Sequence, residues 1–247
     1  MASTGAISIP LERLLPSQIR YSSKNVQDKI ANGLKKGFIT SHPLDGFQLS
    51  FDNAQSMYPK NEAVPVLKLP NEQFLLVDGH HSALASLEVG AKTIFGKVIE
   101  EIQKPLSAPL WHYLEGKGWA YLKELGGKPS SPPQSFSDLK DDPVRYFVTL
   151  SRCKVDEDLD LSKARGFSFP LWLKIGKDQP FIEFKIADYL YAHGFRASYD
   201  SLQNEENLGE VVEKARLIFQ RHPTSEFRIL YERSHFSESK EIPRLSQ

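Results

Sequence analysis

Cysteine is nearly missing: Cys153 is the one such residue in the chain. No intramolecular disulfide can form, and a reducing compartment, the cytoplasm, is the expected location. A lone cysteine is expected to be a small buried apolar side chain. An excess of either charge is missing too, since Lys and Arg total 31 and Asp and Glu total 31. Proteins that live on duplex DNA carry a basic excess, because phosphate neutralisation supplies most of their affinity. Tight non-specific nucleic-acid binding is therefore disfavoured, and only a local basic patch is left open. No apolar run approaches the roughly 20 residues of a membrane helix. Residues 1–15 lack the basic start and apolar core of a secretory signal, although export by a specialised secretion machine needs neither. His-Glu-x-x-His, Cys-x-x-Cys, the Gly-x-x-x-x-Gly-Lys phosphate loop and the Gly-x-Ser-x-Gly elbow are all absent, which removes support for the enzyme classes they mark.

What remains is an ordinary globular composition, 40% hydrophobic and 25% charged over 247 residues, enough for one large domain or two small ones. Ile7 and Ile9 alternate with polar neighbours and predict a short strand, after which Pro10 and Pro16 break the chain. Val26, Ile30 and Leu34 recur at helical spacing. Asn25 and Asp28 suggest the start of that helix, and Gly37 its stop. Phe38 to Ala63 follow neither period and are punctuated by Pro43, Gly46 and Pro59, predicting a long loop that either overhangs a site or merely packs.

Val64 to Leu69 predict a strand, which Pro65 would confine to a sheet edge. Phe74-Leu75-Leu76-Val77 is a continuous apolar run, the mark of a buried strand. Asp78-Gly79 breaks it, and His80 to Val89 predict a helix with Leu84 and Leu87 inward, closed by Gly90. Ile94 to Ile99 read as strand again. The rest is mainly helical: Leu110, Tyr113 and Leu114 lie at helical spacing, Asp142-Pro143 is a cap followed by a first-position proline, and Phe181 to His193 end at Gly194. From Asn207 to Arg221, Leu208, Val211, Val212, Ala215, Ile218 and Phe219 form one stripe, with Pro223 beyond. Gly126 to Pro133 read as a linker.

The sharpest chemical signal is Val77-Asp78-Gly79-His80-His81-Ser82. A helix beginning at His80 leaves its first backbone N–H groups without intrahelical partners, and its dipole adds partial positive charge there. Gly79 lets a ligand approach the backbone closely, so the turn is an anion site by construction. His80 and His81 add imidazoles, Ser82 a hydroxyl, and Asp78 a carboxylate that could orient a histidine, hold Mg²⁺ or act as a base. The alternative is that Asp78 only caps the helix and the histidines are incidental. Adjacent helical residues point about 100° apart, so His80 and His81 are poorly placed to chelate one zinc ion. His42, His112, His193, His222 and His235 are scattered, as structural or exposed histidines are.

Asp78-Gly79-His80-His81, after a buried strand and before a helix, resembles the signature turn of the ParB/sulfiredoxin superfamily, and most closely its ParB-like nuclease branch. Leu14-Leu15-Pro16-Ser17-Gln18 resembles that family's N-terminal Pro-Thr-Gln element, and Val26 with Lys29 its Val-x-x-Lys. Asp141-Asp142-Pro143-Val144-Arg145 resembles its Asp-Asp-Pro-x-Arg. Pro180 to Phe184, with Ala187-Asp188-Tyr189-Leu190, resembles its Glu-Phe-x-x-Ala-Asp-Phe-Leu.

The resemblance implies an α+β fold: a ParB/sulfiredoxin-like αβ domain over residues 1–104, with a mainly helical region over residues 105–247 packed on it. It also implies a phosphate-binding turn, which relatives use for ATP-dependent sulfur repair, CTP hydrolysis or ADP-dependent serine phosphorylation. His80 stands where sulfiredoxins place cysteine, and Ser82 where ParB proteins and serine kinases place a phosphate-clamping arginine, leaving Lys29 as the cation. Gln18 stands near the kinases' glutamate. The resulting expectation is an enzyme that binds a nucleotide (ATP, ADP or CTP) or another phosphate ester and transfers or hydrolyses a phosphoryl group, with Mg²⁺ as cofactor. Asp78, His80 and His81 would be catalytic; Gln18, Lys29, Gly79, Ser82 and Arg145 would bind. The alternatives are a metal-dependent nuclease at the same site, or a non-catalytic module that binds nucleotide or a protein partner.

Overall fold

The computed structural model describes residues 5–42, 46–49, 56–156, 181–203 and 205–222. Part of the expected loop, including Pro43, and Pro223 and His235 lie outside them. The chain forms two compact units, residues 1–124 with 128–142 and residues 125–127 with 143–247. The boundary expected after residue 104 falls inside the first. Helices and a mixed sheet together make the fold α+β, and no described helix is long and apolar enough to cross a membrane.

The first unit is built on a five-stranded sheet, ordered β1 (Ile7–Pro10), β8 (Thr93–Glu101), β6 (Val64–Lys68), β7 (Phe74–Leu76) and β2 (Leu14–Pro16). β6 runs parallel to β8 and antiparallel to β7, β2 parallel to β7, and β1 antiparallel to β8. Strand β2 lies between two prolines and has no sequence period to announce it. It forms by pairing with β7, and Pro10 and Pro16 close the two edge strands, the place in a sheet where a missing N–H is tolerated. Pro65 departs from expectation, since β6 is central. Its carbonyl accepts from the Val77 N–H at 3.0 Å, so its nitrogen faces the same neighbour just where β7 has ended, and a single ladder bond is lost.

One sheet face is covered by α1 (Ser23–Lys35) and α2 (His80–Glu88), in a core with Ile9, Leu14, Val26, Ile30, Val66, Leu76, Ala83 and Ala85. The other face buries Leu67 and Leu75 with Trp111 and Leu114 of α3 (Ala108–Gly116). Within α2 the inward residues are His80, Ser82, Ala83, Ala85 and Ser86, whereas Leu87 is 41% exposed. Small side chains let α2 approach closely, which overrides the hydrophobic count that favoured Leu87. Helix α1 starts at Ser23, with Ser22 as cap accepting from the Asn25 N–H at 3.2 Å; Asp28 pairs instead with Lys24 at 3.0 Å. Ile39–His42 (β4) and Gly46–Leu49 (β5) pair as an antiparallel ribbon inside the stretch expected to be loop. Their strand character comes from the pairing, not from alternation. A last short pair, β3 (Arg20–Tyr21) and β9 (Lys140–Asp141), is parallel.

The second unit is helical among its described residues: α4 (Pro143–Asp156), α5 (Ile182–Ala192), α6 (Tyr199–Gln203) and α7 (Glu205–Arg221). Val144, Phe147, Ile186, Leu190, Val211 and Ala215 form its core, with Leu208, Val212, Ile218 and Phe219 packed against it, as the α7 stripe predicts.

Candidate functional site

The turn between β7 and α2 is built as the sequence requires. Leu76 is wholly buried, Asp78 is exposed, and Gly79 takes φ +91° and ψ +21° as the residue before the helix. A Cβ on Gly79 would meet Val64 Cγ1 at 2.6 Å, so glycine is demanded by conformation and by space. No side chain caps α2. The Asp78 carboxylate instead accepts from the next residue's amide, Gly79 N–H to Oδ1 at 2.6 Å. The first-turn amides of α2 therefore point out of the helix from a start that carries no side chain.

Both histidines reach across to one segment, residues 17–22. His80 is 2% exposed, and its Nε2 accepts the Ser17 N–H at 3.0 Å, with the Ser17 hydroxyl at 3.4 Å. His81 Nε2 accepts the Ser22 N–H at 3.1 Å. Each ring is thus held as the neutral tautomer protonated at Nδ1. Ser22 in turn caps α1, whose Gln27 reaches Glu88 at the end of α2 at 2.6 Å. The two helices accordingly run in the same sense, with their N-termini side by side; that of α1 is already met by the Ser22 cap and the Asp141 carboxylate, and that of α2 carries no side-chain cap.

The remaining predicted residues divide. Gln18 is buried beside this wall, its Nε2 donating to the Arg20 carbonyl at 2.8 Å. Ser82 is buried on the first turn of α2, facing Tyr58. Lys29 is exposed on α1. Arg145 belongs to the second unit, where its guanidinium lies 4.6 Å over the Phe184 ring. Asp142, expected as the cap of α4, has its carboxylate engaged by Arg20 at 2.8 Å.

That ion pair and its neighbours are what sequence reasoning missed. Arg20 and Asp142 are both 0% exposed, and Arg20 also sits 5.8 Å over the Tyr121 ring. Asp141 accepts from the Ser23 amide at 2.8 Å and the Ser23 hydroxyl at 2.7 Å, placing a carboxylate on the N-terminus of α1. The Asp141-Asp142 doublet was visible as a motif; what it would bind was not, because Arg20 lies over a hundred positions away. Residues 17–23 are therefore pinned from one side by His80 and His81 and from the other by Asp141 and Asp142.

No group of three or more His, Cys, Asp or Glu residues is arranged to hold a metal among the described residues. Asp78, exposed beside the amides, is the carboxylate at hand, and one carboxylate with substrate phosphates is a familiar Mg²⁺ set. A groove of about 380 Å³ lies elsewhere, at the opposite end of β7, lined by Arg13, Lys68, Glu72, Phe74 and Glu101 among others. Its charges are matched as Arg13–Glu72 at 2.6 Å and Lys68–Glu101 at 3.5 Å.

The sequence pattern of a family described as "Putative ParB-like nuclease" matches residues 7–192. Among solved structures, protein Atu1540 from Agrobacterium tumefaciens is similar at 21% identity and a TM-score of 0.59, over 91% of this chain and 93% of that one. The likeness is one of fold. A free serine kinase in complex with AMP is 17% identical at a TM-score of 0.28, over 39% of this chain and 32% of that one. A conserved hypothetical protein from Pyrococcus furiosus gives 18%, 0.28 and the same coverages. These two likenesses are too partial to bear on activity. No curated protein matches.

Proposed function

Because the chain belongs to the ParB-like nuclease family over residues 7–192, we propose that it binds a nucleotide or another phosphate ester at the N-terminus of α2 and transfers or hydrolyses a phosphoryl group there. The observation that carries this reading is the glycine start of α2, uncapped by any side chain and set beside the N-terminus of α1. Phosphoryl oxygens would accept from the amides of the first turn, which cost no reorganisation when charge develops. Ser82 and Gln18 would add polar contacts. Asp78, exposed at the rim, would hold Mg²⁺ against the phosphate or take a proton from the attacking group. His81, half-buried, would stand closer to substrate than His80, whose buried ring would fix the geometry of Ser17.

Thermal-shift measurement with ATP, ADP, CTP and inorganic phosphate, with and without Mg²⁺, tests the reading. A shift with one of these that His81→Ala abolishes, together with phosphate release or transfer that Asp78→Asn abolishes, is the expected result. Cleavage of single-stranded DNA or RNA without any nucleotide-induced shift would replace it with a nuclease. Silence in both assays would leave a module that does no chemistry.

A further inference from the structure

His193 and His222 are far apart in the chain, yet they meet in the second unit. His193 closes α5, and His222 directly follows the last residue of α7. Their rings lie 4.5 Å apart between centroids, tilted by 35°. Two further rings continue the contact: Tyr189 of α5 lies 4.3 Å from His193, and Phe219 of α7 stacks on Tyr189 at 4.9 Å. The Tyr189 hydroxyl also donates to the His222 carbonyl. A ladder of four rings and one hydrogen bond therefore hold the C-terminal ends of α5 and α7 against each other.

The proton on His193 is assigned by its partner. Nδ1 lies 2.9 Å from the Tyr189 carbonyl oxygen, which can only accept, so Nδ1 carries the proton and Nε2 of the neutral ring keeps its lone pair. One ring nitrogen held by a backbone carbonyl, with the other bare, is the arrangement of metal-ligating histidines. His193 is half-buried and His222 is exposed. Among the described residues neither ring meets a carboxylate. The setting also favours positive charge, because two helices end here and each C-terminus carries partial negative charge on its carbonyls. A histidine that only capped a helix would need no second imidazole against it. Two rings in contact do not both gain by taking a proton, since like charges repel at that range, but they can share one divalent ion.

We propose that His193 and His222 form a site for a divalent transition-metal ion, zinc by its affinity for imidazole, that staples the end of α7 to the end of α5. Two imidazoles are fewer than the three or four protein ligands of resident zinc sites, so water completes the shell and the ion exchanges with solution. The site belongs wholly to the second unit and does not depend on the phosphate site proposed in the first.

Calorimetric titration of the full chain with Zn²⁺ at neutral pH, in excess Mg²⁺, is the test, on wild type, His193→Ala, His222→Ala, the double variant and His112→Ala. His112 is exposed in the first unit and serves as the control. Each single variant at the pair should weaken the tightest zinc event by at least about 10-fold. The double variant should lose no more, because either change already breaks the pair, and His112→Ala should match wild type. Zinc should raise the melting temperature of wild type and not that of His222→Ala. Acidification should release the ion, because imidazole binds metal only when deprotonated. Should His193→Ala fail to fold, His222→Ala, which removes an exposed ring, decides alone. Wild type that binds no zinc overturns the site, as do single variants that bind it equally well. Losses that add in the double variant overturn it too, in favour of two histidines that meet zinc independently.

Discussion

Replacing Gly79 by alanine separates the two demands placed on that residue. The first is conformational: φ of +91° is a region L side chains rarely adopt, and a residue held in left-handed backbone costs about 1–2 kcal/mol. The second is spatial, because the new Cβ would lie 2.6 Å from Val64 Cγ1 and 3.2 Å from Val64 Cβ. Val64 is buried in a central strand and cannot withdraw, and overpacking of this sort costs about 1–3 kcal/mol. Together Gly79→Ala should destabilise by about 2–5 kcal/mol. Gly90 supplies the control within the same helix–turn unit. Its φ is +79°, but a Cβ there meets nothing within 4 Å, so Gly90→Ala should cost only the conformational share, about 1–2 kcal/mol. The difference between the two variants measures the clash alone, and Val64→Ala, by clearing it, should shrink that difference toward zero. Urea denaturation followed by Trp111 and Trp119 fluorescence, both in the first unit, with Trp172 replaced by phenylalanine in every background, reads these variants singly and combined. Equal losses for Gly79→Ala and Gly90→Ala would refute the close approach of turn to strand.

Three further outcomes are expected. Arg20→Ala or Asp142→Asn alone should cost about 3–5 kcal/mol by stranding a buried charge, while Arg20→Met with Asp142→Leu should cost less than either; a single variant that loses under about 1 kcal/mol would contradict the burial of the pair. Nitrogen-15 correlation spectra at neutral pH should show both His80 and His81 protonated at Nδ1 and bare at Nε2; a proton on either Nε2 is incompatible with the Ser17 and Ser22 contacts. Burial pushes the Tyr58 hydroxyl up to about 12, with the neighbouring Ser82 hydroxyl pulling down and Glu62 adding a smaller rise. The unfolded chain then releases this proton near pH 10 while the folded one keeps it, so stability is intact below pH 10 and falls from there to about 12, by at most about 2 kcal/mol. Tyr58→Phe should flatten that part of the alkaline curve, leaving whatever slope the raised Tyr21 and Tyr189 contribute; an unchanged curve would place the Tyr58 hydroxyl in water.

Legibility followed the range of the interaction. The strand Phe74–Leu76, the break at Gly79 and the helix behind it were readable because buried apolar runs and positive-φ glycines are local signals. So was the apolar stripe of α7. Strand β2 was not, since three residues between prolines become a strand only when β7 lies alongside. Hydropathy turns Leu84 and Leu87 of α2 inward; Leu84 does pack against the core, but Leu87 is exposed, and close packing selects Ala83, Ala85 and two serines beside it. At the site, Asp78 to Ser82 were visible as chemistry, yet the use to which the histidines are put was not. A ring nitrogen that accepts an amide from sixty positions away leaves no trace in spacing.

The prolines that close the two outer strands bear on how the molecule behaves at high concentration. A sheet rim is an invitation to any other extended chain, and each rim here has one rung that cannot be filled. Beyond Pro16, the outgoing chain is already engaged, Tyr121 N–H donating to the Ser17 carbonyl at 2.9 Å and Lys140 N–H to the Ile19 carbonyl at 2.8 Å. Growth of the sheet from molecule to molecule is thereby discouraged at both sides, and Pro10→Val or Pro16→Val is the change that should set copies of this protein stacking into fibres.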